Sequence, residues 1–153
     1  MSRMKKSATF AALAVGLVGA FEGLRTAAYR DPVGIPTVCF GETRGVKMGQ
    51  KYTSAECKAM FIPRLAEFEN GMVVCLKNSE KIPDGAYAAF LSFSYNVGTG
   101  AFCKSGLVAK ANAGDLRGAC NELPKWNKAR GIKLPGLTNR RAAEQKLCLN
   151  SLK

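Results

Sequence analysis

Histidine is absent from this 153-residue chain. Its six cysteines are dispersed at 39, 57, 75, 103, 120 and 148, and Asp and Glu together number 11, so no credible set of metal ligands is left. No two cysteines form a CxxC pair, which excludes redox-motif and zinc-ribbon readings on spacing. Trp126 is the single tryptophan, and no stripe of aromatics interleaved with bases exists for nucleobases to stack on. Nucleic acid is therefore not expected as a partner. The apolar run Ala8–Phe21 holds 14 residues, short of the roughly 20 that span a bilayer. There is no internal repeat, low-complexity segment or long linker, and the length suits one domain with a sizeable core.

What is abundant is positive charge. Lys and Arg number 23, for a net charge of +12, and such a field concentrates anionic surfaces such as lipid or carboxylate-rich cell wall. An even number of cysteines in a basic chain with an export-like start favours disulfides over free thiols. Spacing leaves their connectivity open.

The amino terminus supports two readings. Arg3, Lys5 and Lys6 before Ala8–Phe21 have the charged and apolar parts of a signal peptide, yet cleavage after Ala20 would remove the helix expected to carry Glu22. In the first reading the run is simply the opening helix of the folded domain. In the second it is a weakly apolar anchor, softened by Gly16 and Gly19, that takes the chain to the periplasm uncleaved and then leaves the inner membrane. Retention in the cytoplasm until a holin opens the membrane is the alternative to export. A cationic membrane-active protein is disfavoured, because the run is apolar all round rather than two-faced.

Periodicity predicts a helix over 8–28, with Leu13, Leu17, Phe21 and Leu24 on one face. Four glycines and two prolines between Asp31 and Gly49 predict short strands joined by turns. Thr53–Glu56 reads as a capping box opening a helix that Pro63 should kink and Gly71 should soften. Pro83 can begin the next helix and Gly98 can end it. Shorter helices are expected over 106–113, 116–123 and 139–149, the last starting at Thr138. The pattern alone is α+β and mostly helical.

Glu22, Asp31 and Thr37 stand out chemically. Glu22 ends an apolar run, while Asp31 lies in the turn-rich stretch Tyr29-Arg-Asp-Pro-Val-Gly-Ile-Pro-Thr37. Glycosidic hydrolysis needs one carboxyl that holds a proton and another that stays ionised, and apolar and polar surroundings separate those roles. Each residue also has an ordinary use. Glu22 could pair with Arg25 or Arg30, Asp31 could form the turn before Pro32, and Thr37 could be a plain strand residue.

The segments Phe21-Glu-Gly-Leu-Arg-Thr-Ala-Ala-Tyr-Arg-Asp31 and Gly34-Ile-Pro-Thr37-Val-Cys-Phe-Gly41 resemble the phage-type lysozyme (muramidase) family, glycoside hydrolase family 24, closest to its exported signal-anchor-release endolysins. The family's Glu, Asp and Thr spacing falls on Glu22, Asp31 and Thr37. Further matches are Tyr52–Cys57, Ser92–Gly98 and Gly136–Arg141 with Glu144, so the resemblance covers roughly 18–149. One departure is Glu42, where the family usually has His; a salt bridge in the small lobe is expected of it.

The resemblance implies one two-lobed domain over 1–153: the basic and apolar segment 1–21, a small β-containing lobe over 22–52, a connecting helix over 53–78 and a helical lobe over 79–153 that includes the first helix. It implies catalysis by Glu22 as general acid, with Asp31 ionised to stabilise the oxocarbenium-like transition state or to polarise the attacking water, and Thr37 hydrogen-bonding that water, on the β-1,4 link of peptidoglycan glycan strands, by inversion and without a cofactor. It also guides the pairing Cys39–Cys57, Cys75–Cys103 and Cys120–Cys148. Tyr95, Asn96, Thr138, Asn139 and Arg141 are weaker candidates for contact with the glycan, packing and capping being the ordinary alternatives. Trp126 fits the core better than a sugar platform. A non-catalytic wall-binding module of the same fold would be expected to lose Glu22 or Asp31, and both are present. A cleft enzyme of this size is expected to be a monomer.

Overall fold

A computed structural model describes residues 2–153. By internal contacts the chain divides into two compact units, Met1–Glu67 and Phe68–Lys153.

In the first unit a helical turn, α1 (Arg3–Lys6), precedes α2 (Ala8–Glu22), each opened by a serine whose hydroxyl accepts an amide hydrogen bond: Ser2 from Lys5 and Ser7 from Phe10. The expected helix over 8–28 stops six residues early. Gly23 takes φ +77° and its amide closes onto the Gly19 carbonyl, an exit that glycine adopts without a steric penalty. The chain then turns to strand, β1 (Arg25–Arg30), antiparallel to β2 (Pro36–Cys39). The buried stripe of α2 is Phe10, Ala14 and Val18 rather than the expected Leu13, Leu17, Phe21 and Leu24. A helix apolar on every side carries no periodicity that could select one face. Gly19 lets the Phe40 ring close in: a Cβ there would meet its Cε1 at 3.2 Å. Phe40 stacks on Phe61 at 4.5 Å. The first helix lies within the first unit.

The capping box forms as expected. Thr53 N donates to Glu56 Oε1 at 2.8 Å, and Glu56 N to Thr53 Oγ1 at 3.1 Å. It opens α3 (Ser54–Val73), which runs through Pro63. Gly71 is a tight contact rather than a soft point, since a Cβ there would lie 2.6 Å from Thr99 Cγ2.

In the second unit α4 (Asp84–Val97) starts after Pro83, and Gly98 ends it at φ +91°. Residues Gly85 to Ser94 of α4 are all buried. Around it come α5 (Thr99–Cys103), α6 (Gly106–Asn112), α7 (Leu116–Glu122, capped by Asp115) and α8 (Pro135–Asn150). Helix α8 begins before the expected Thr138, using Pro135 in its first turn. The hairpin β3 (Lys128–Ala129) and β4 (Ile132–Lys133) was not expected: each strand is two residues long, too short to show alternation. Three disulfides, Cys39–Cys57, Cys75–Cys103 and Cys120–Cys148, realise the pairing that the resemblance implied. Among the described residues no helix is long and apolar enough to cross a membrane.

A buried ionic cluster ties α8 to α4. Glu144, fully buried, accepts from Ser92 Oγ, Arg140 Nε and Arg141 Nη2 on Oε2, while Arg141 Nε lies 2.6 Å from Oε1. The Arg141 guanidinium also sits 5.0 Å from the centre of the Phe93 ring. Burial raises the proton affinity of Glu144, opposed by Arg141, Ser92 and Arg140; burial likewise lowers that of Arg141, opposed by Glu144. Among the described residues Glu144 is the single carboxylate between two buried guanidiniums, so its removal leaves buried charge uncompensated. Glu144→Ala is therefore expected to lower the unfolding free energy by about 3–5 kcal/mol, seen as a fall in urea midpoint at unchanged slope.

Candidate active site

The expected catalytic residues all fall in the first unit, each placed by a local feature of the chain. Glu22 is the last residue of α2, at the point where Gly23 breaks the helix. Its carboxylate faces the backbone of Gly41: a Cβ there would sit 3.4 Å from Glu22 Oε1, and the residue takes φ +80°. Glycine at 41 thus leaves room for the acid as well as for the turn. Arg25 stacks over Tyr29, 4.0 Å from its ring centre, and Arg30 Nη1 donates to the Gly34 carbonyl at 3.0 Å.

Asp31 closes the loop between β1 and β2. Its Oδ1 accepts from Val33 N at 2.9 Å and Ile35 N at 2.8 Å, while Asp31 N donates to Ile35 O at 3.0 Å. The turn-forming role is therefore real, but it uses one carboxylate oxygen and leaves Oδ2 unengaged among the described residues. Thr37 lies opposite Tyr29 on β2 and is buried. Its hydroxyl donates to the Ile35 carbonyl at 2.8 Å, so toward a water it acts as an acceptor. One loop, Asp31–Ile35, thus orients both the carboxylate and the hydroxyl. Strand β1 is anchored on its other side by Ala28 N to Gln50 O at 2.9 Å and Tyr52 N to Thr26 O at 2.8 Å.

Glu42 makes the expected salt bridge, Oε2 to Arg64 Nε at 3.3 Å, and its Oε1 accepts from Arg44 N at 3.0 Å. Glu67 extends the set, contacting Arg64 Nη1 at 2.7 Å and Arg44 Nη1 at 3.0 Å. The Arg64 hydrogen bond is the main influence holding the Glu67 carboxyl below its usual range. A carboxylate at position 42 thus joins a network of alternating charges that secures the turn after Phe40 to α3.

The weaker candidates separate in the second unit. Tyr95 is half-buried with its ring tilted on Phe68 at 4.7 Å, and Asn96 is exposed. Thr138 and Asn139 are exposed on the first turns of α8, and Thr138 Oγ1 donates to Leu134 O at 3.2 Å rather than capping the helix. Arg141 has no exposed surface, so the expected contact with a glycan does not fit this residue; it serves the buried cluster instead. Trp126 is half-buried and packs edge-on against Phe93 at 5.2 Å. The roles of Ser92 and Arg140 in that cluster were missed. Arg140 and Arg141, four and three residues before Glu144, were the signal that could have found the arginine's part; Ser92, on a different helix, gave none.

No group of three or more Cys, Asp or Glu side chains that could hold a metal ion occurs among the described residues.

Comparison with known proteins places this arrangement. The sequence profile of the phage lysozyme family matches residues 19–144, which takes in all three candidate catalytic residues. The SAR-endolysin of Bacteriophage PS119 is 41% identical over 129 residues, covering 84% of this chain and 76% of its own length. The SAR-endolysin of Pseudomonas phage phiKMV is 40% identical over 154 residues, covering 97% and 93%. Among solved structures, the active form of P1 phage endolysin Lyz matches with a TM-score of 0.82 at 27% identity, covering 92% of this chain and 84% of that one. With the fold, the family profile and relatives of about 40% identity all in agreement, this chain belongs to the phage lysozyme family and is a muramidase-type hydrolase that attacks the bacterial cell wall.

Proposed function

We propose that the chain cleaves the β-1,4 bond between N-acetylmuramic acid and N-acetylglucosamine in peptidoglycan by a single inverting displacement, in the service of host cell lysis. Glu22 gives its proton to the glycosidic oxygen as the bond to the anomeric carbon breaks. Water attacks that carbon from the opposite face, and its proton passes to Asp31 Oδ2. Thr37 accepts a hydrogen bond from the same water and fixes its direction.

The observation that carries this reading is the division of labour at Asp31. Two amides hold Oδ1 while Oδ2 stays unengaged among the described residues, which suits a rigidly aimed base better than a carboxylate used for the turn alone. Inversion needs room for a water between the carboxyls, a separation of roughly 6.5–9.5 Å. NMR of freshly released sugar is expected to show the α anomer first; the β anomer first would establish retention and reject the mechanism.

Export to the periplasm is the second part of the proposal. It is supported by the naming of the relatives as SAR-endolysins, and by three disulfides, which persist in an oxidising compartment and not in a reducing cytosol. The run Ala8–Phe21 would first sit in the inner membrane and later become α2 of a folded monomer. Membrane fractions taken early after induction should contain uncleaved chain; chain found in the cytoplasm alone, in the absence of a holin, would reject export.

A further inference from the structure

A groove of about 730 Å³ runs along the first unit, and none of Glu22, Asp31 and Thr37 lines it. Its length comes from α2, where Ala12, Gly16 and Ala20 recur every fourth residue on the exposed side. The lined stretch from Ala8 to Ala20 covers about 18 Å at the helical rise of ~1.5 Å per residue. Leu24 and Ile62, 40% and 36% exposed, also line it, so two large apolar side chains are left facing water here. The remaining lining is apolar except for Ser54 and Lys58, one turn apart at the start of α3.

Lys58 is exposed and has no ion-pair or hydrogen-bond partner among the described residues. Glu56, the nearest carboxylate in sequence, is turned back onto Thr53 N. The lining contains no carboxylate. A long, smooth trough of small side chains with one unpaired cation fits a flexible apolar chain that carries a negative head. No residue of β1 or β2 lines it, so an extended peptide would find no strand edge to pair with there. The chain's net charge of +12 draws it to the same class of surface.

We propose that this groove binds one acyl chain of an anionic membrane lipid, with the Lys58 ammonium against the headgroup phosphate. The inference goes beyond hydrolysis, since the folded enzyme would keep a lipid contact after its amino terminus has become α2.

Monomeric lauroyl-lysophosphatidylglycerol titrated into the full-length oxidised protein tests it, by calorimetry and by amide NMR shifts. Wild type is expected to show one saturable site, with shifts centred on Gly16 and Gly19. Lauroyl-lysophosphatidylcholine, with no net charge, should bind about tenfold more weakly, equivalent to ~1.4 kcal/mol. Glycerol phosphate alone should not bind. Gly16→Leu should abolish binding: no atom lies within 4 Å of a Cβ at that position, so the new side chain occupies the groove without displacing the core. Lys58→Glu, a surface change that leaves the groove open, should weaken binding about tenfold. Both variants should keep wild-type activity on peptidoglycan. No saturable site in wild type, equal affinity for the headgroup alone, or unchanged affinity in Lys58→Glu would each overturn the proposal, as would unchanged affinity in a folded Gly16→Leu.

Discussion

Glu22→Gln is expected to lower the release of reducing sugar from purified peptidoglycan by roughly 10²–10⁴-fold, the contribution typical of a positioned general acid. The exchange keeps the shape of the side chain and removes the proton it must deliver. Because Glu22 closes α2 and faces the backbone of Gly41, an isosteric amide should not disturb the fold, and the urea midpoint should stay near that of wild type. A rate loss without a stability loss would assign the acid. Full activity in the variant would move the proton donor elsewhere, and a parallel loss of stability would make Glu22 a structural residue. Asp31→Asn is the informative companion: its amide still offers an oxygen to Val33 N and Ile35 N, so the loop should hold while the base is lost.

Reduction of the disulfides is expected to have the largest effect on stability. The bridges close loops of 18, 28 and 28 residues. The chain-entropy relation gives about 3 kcal/mol for the shorter loop and a little over ~3.5 for each longer one, roughly 10 kcal/mol together. That matches the whole unfolding free energy of an ordinary domain, about 5–15 kcal/mol. The reduced chain should therefore be largely unfolded at 37 °C by near-ultraviolet circular dichroism and by the emission of Trp126, and inactive on the wall. A midpoint in urea unchanged by reductant would reject this. Cys39–Cys57 has a second consequence. Cys39 takes φ +62° without being glycine, a conformation that costs of order 1–3 kcal/mol and persists only when its surroundings enforce it. The bridge joins the end of β2 to the first turns of α3, so its loss should loosen the strand that carries Thr37 and lower activity more than loss of either other bridge at matched stability.

How much was legible in the sequence varied with the range of the interaction involved. The capping box at Thr53–Glu56, the start of α4 after Pro83 and the stop at Gly98 were readable because each depends on two to four adjacent residues. The end of α2 was overrun although Gly23 was in view: a glycine inside an apolar run is only a probable stop, and Leu24 continued the helical spacing. Hairpin β3–β4 gave no signal at two residues per strand. The burial of Arg141, a weaker candidate for glycan contact, depends on Glu144 and on the packing of α8 against α4, where Ser92 lies far away in sequence.

The sequence by itself determined the family, the catalytic candidates and the cysteine pairing that the resemblance carries, because these rest on residue identity at set spacing along one short stretch or on recurring motifs. Its charge also marked the chain as one drawn to anionic surfaces. Only the tertiary structure decided which side of α2 is buried and which is left as an open trough, since a helix apolar all round does not encode that choice. It also decided that two backbone amides hold Oδ1 of Asp31, and that Glu42 joins Arg44, Arg64 and Glu67. Those outcomes depend on which backbone amides and distant guanidiniums the fold brings within about 3 Å, and the order of residues along the chain does not contain that distance.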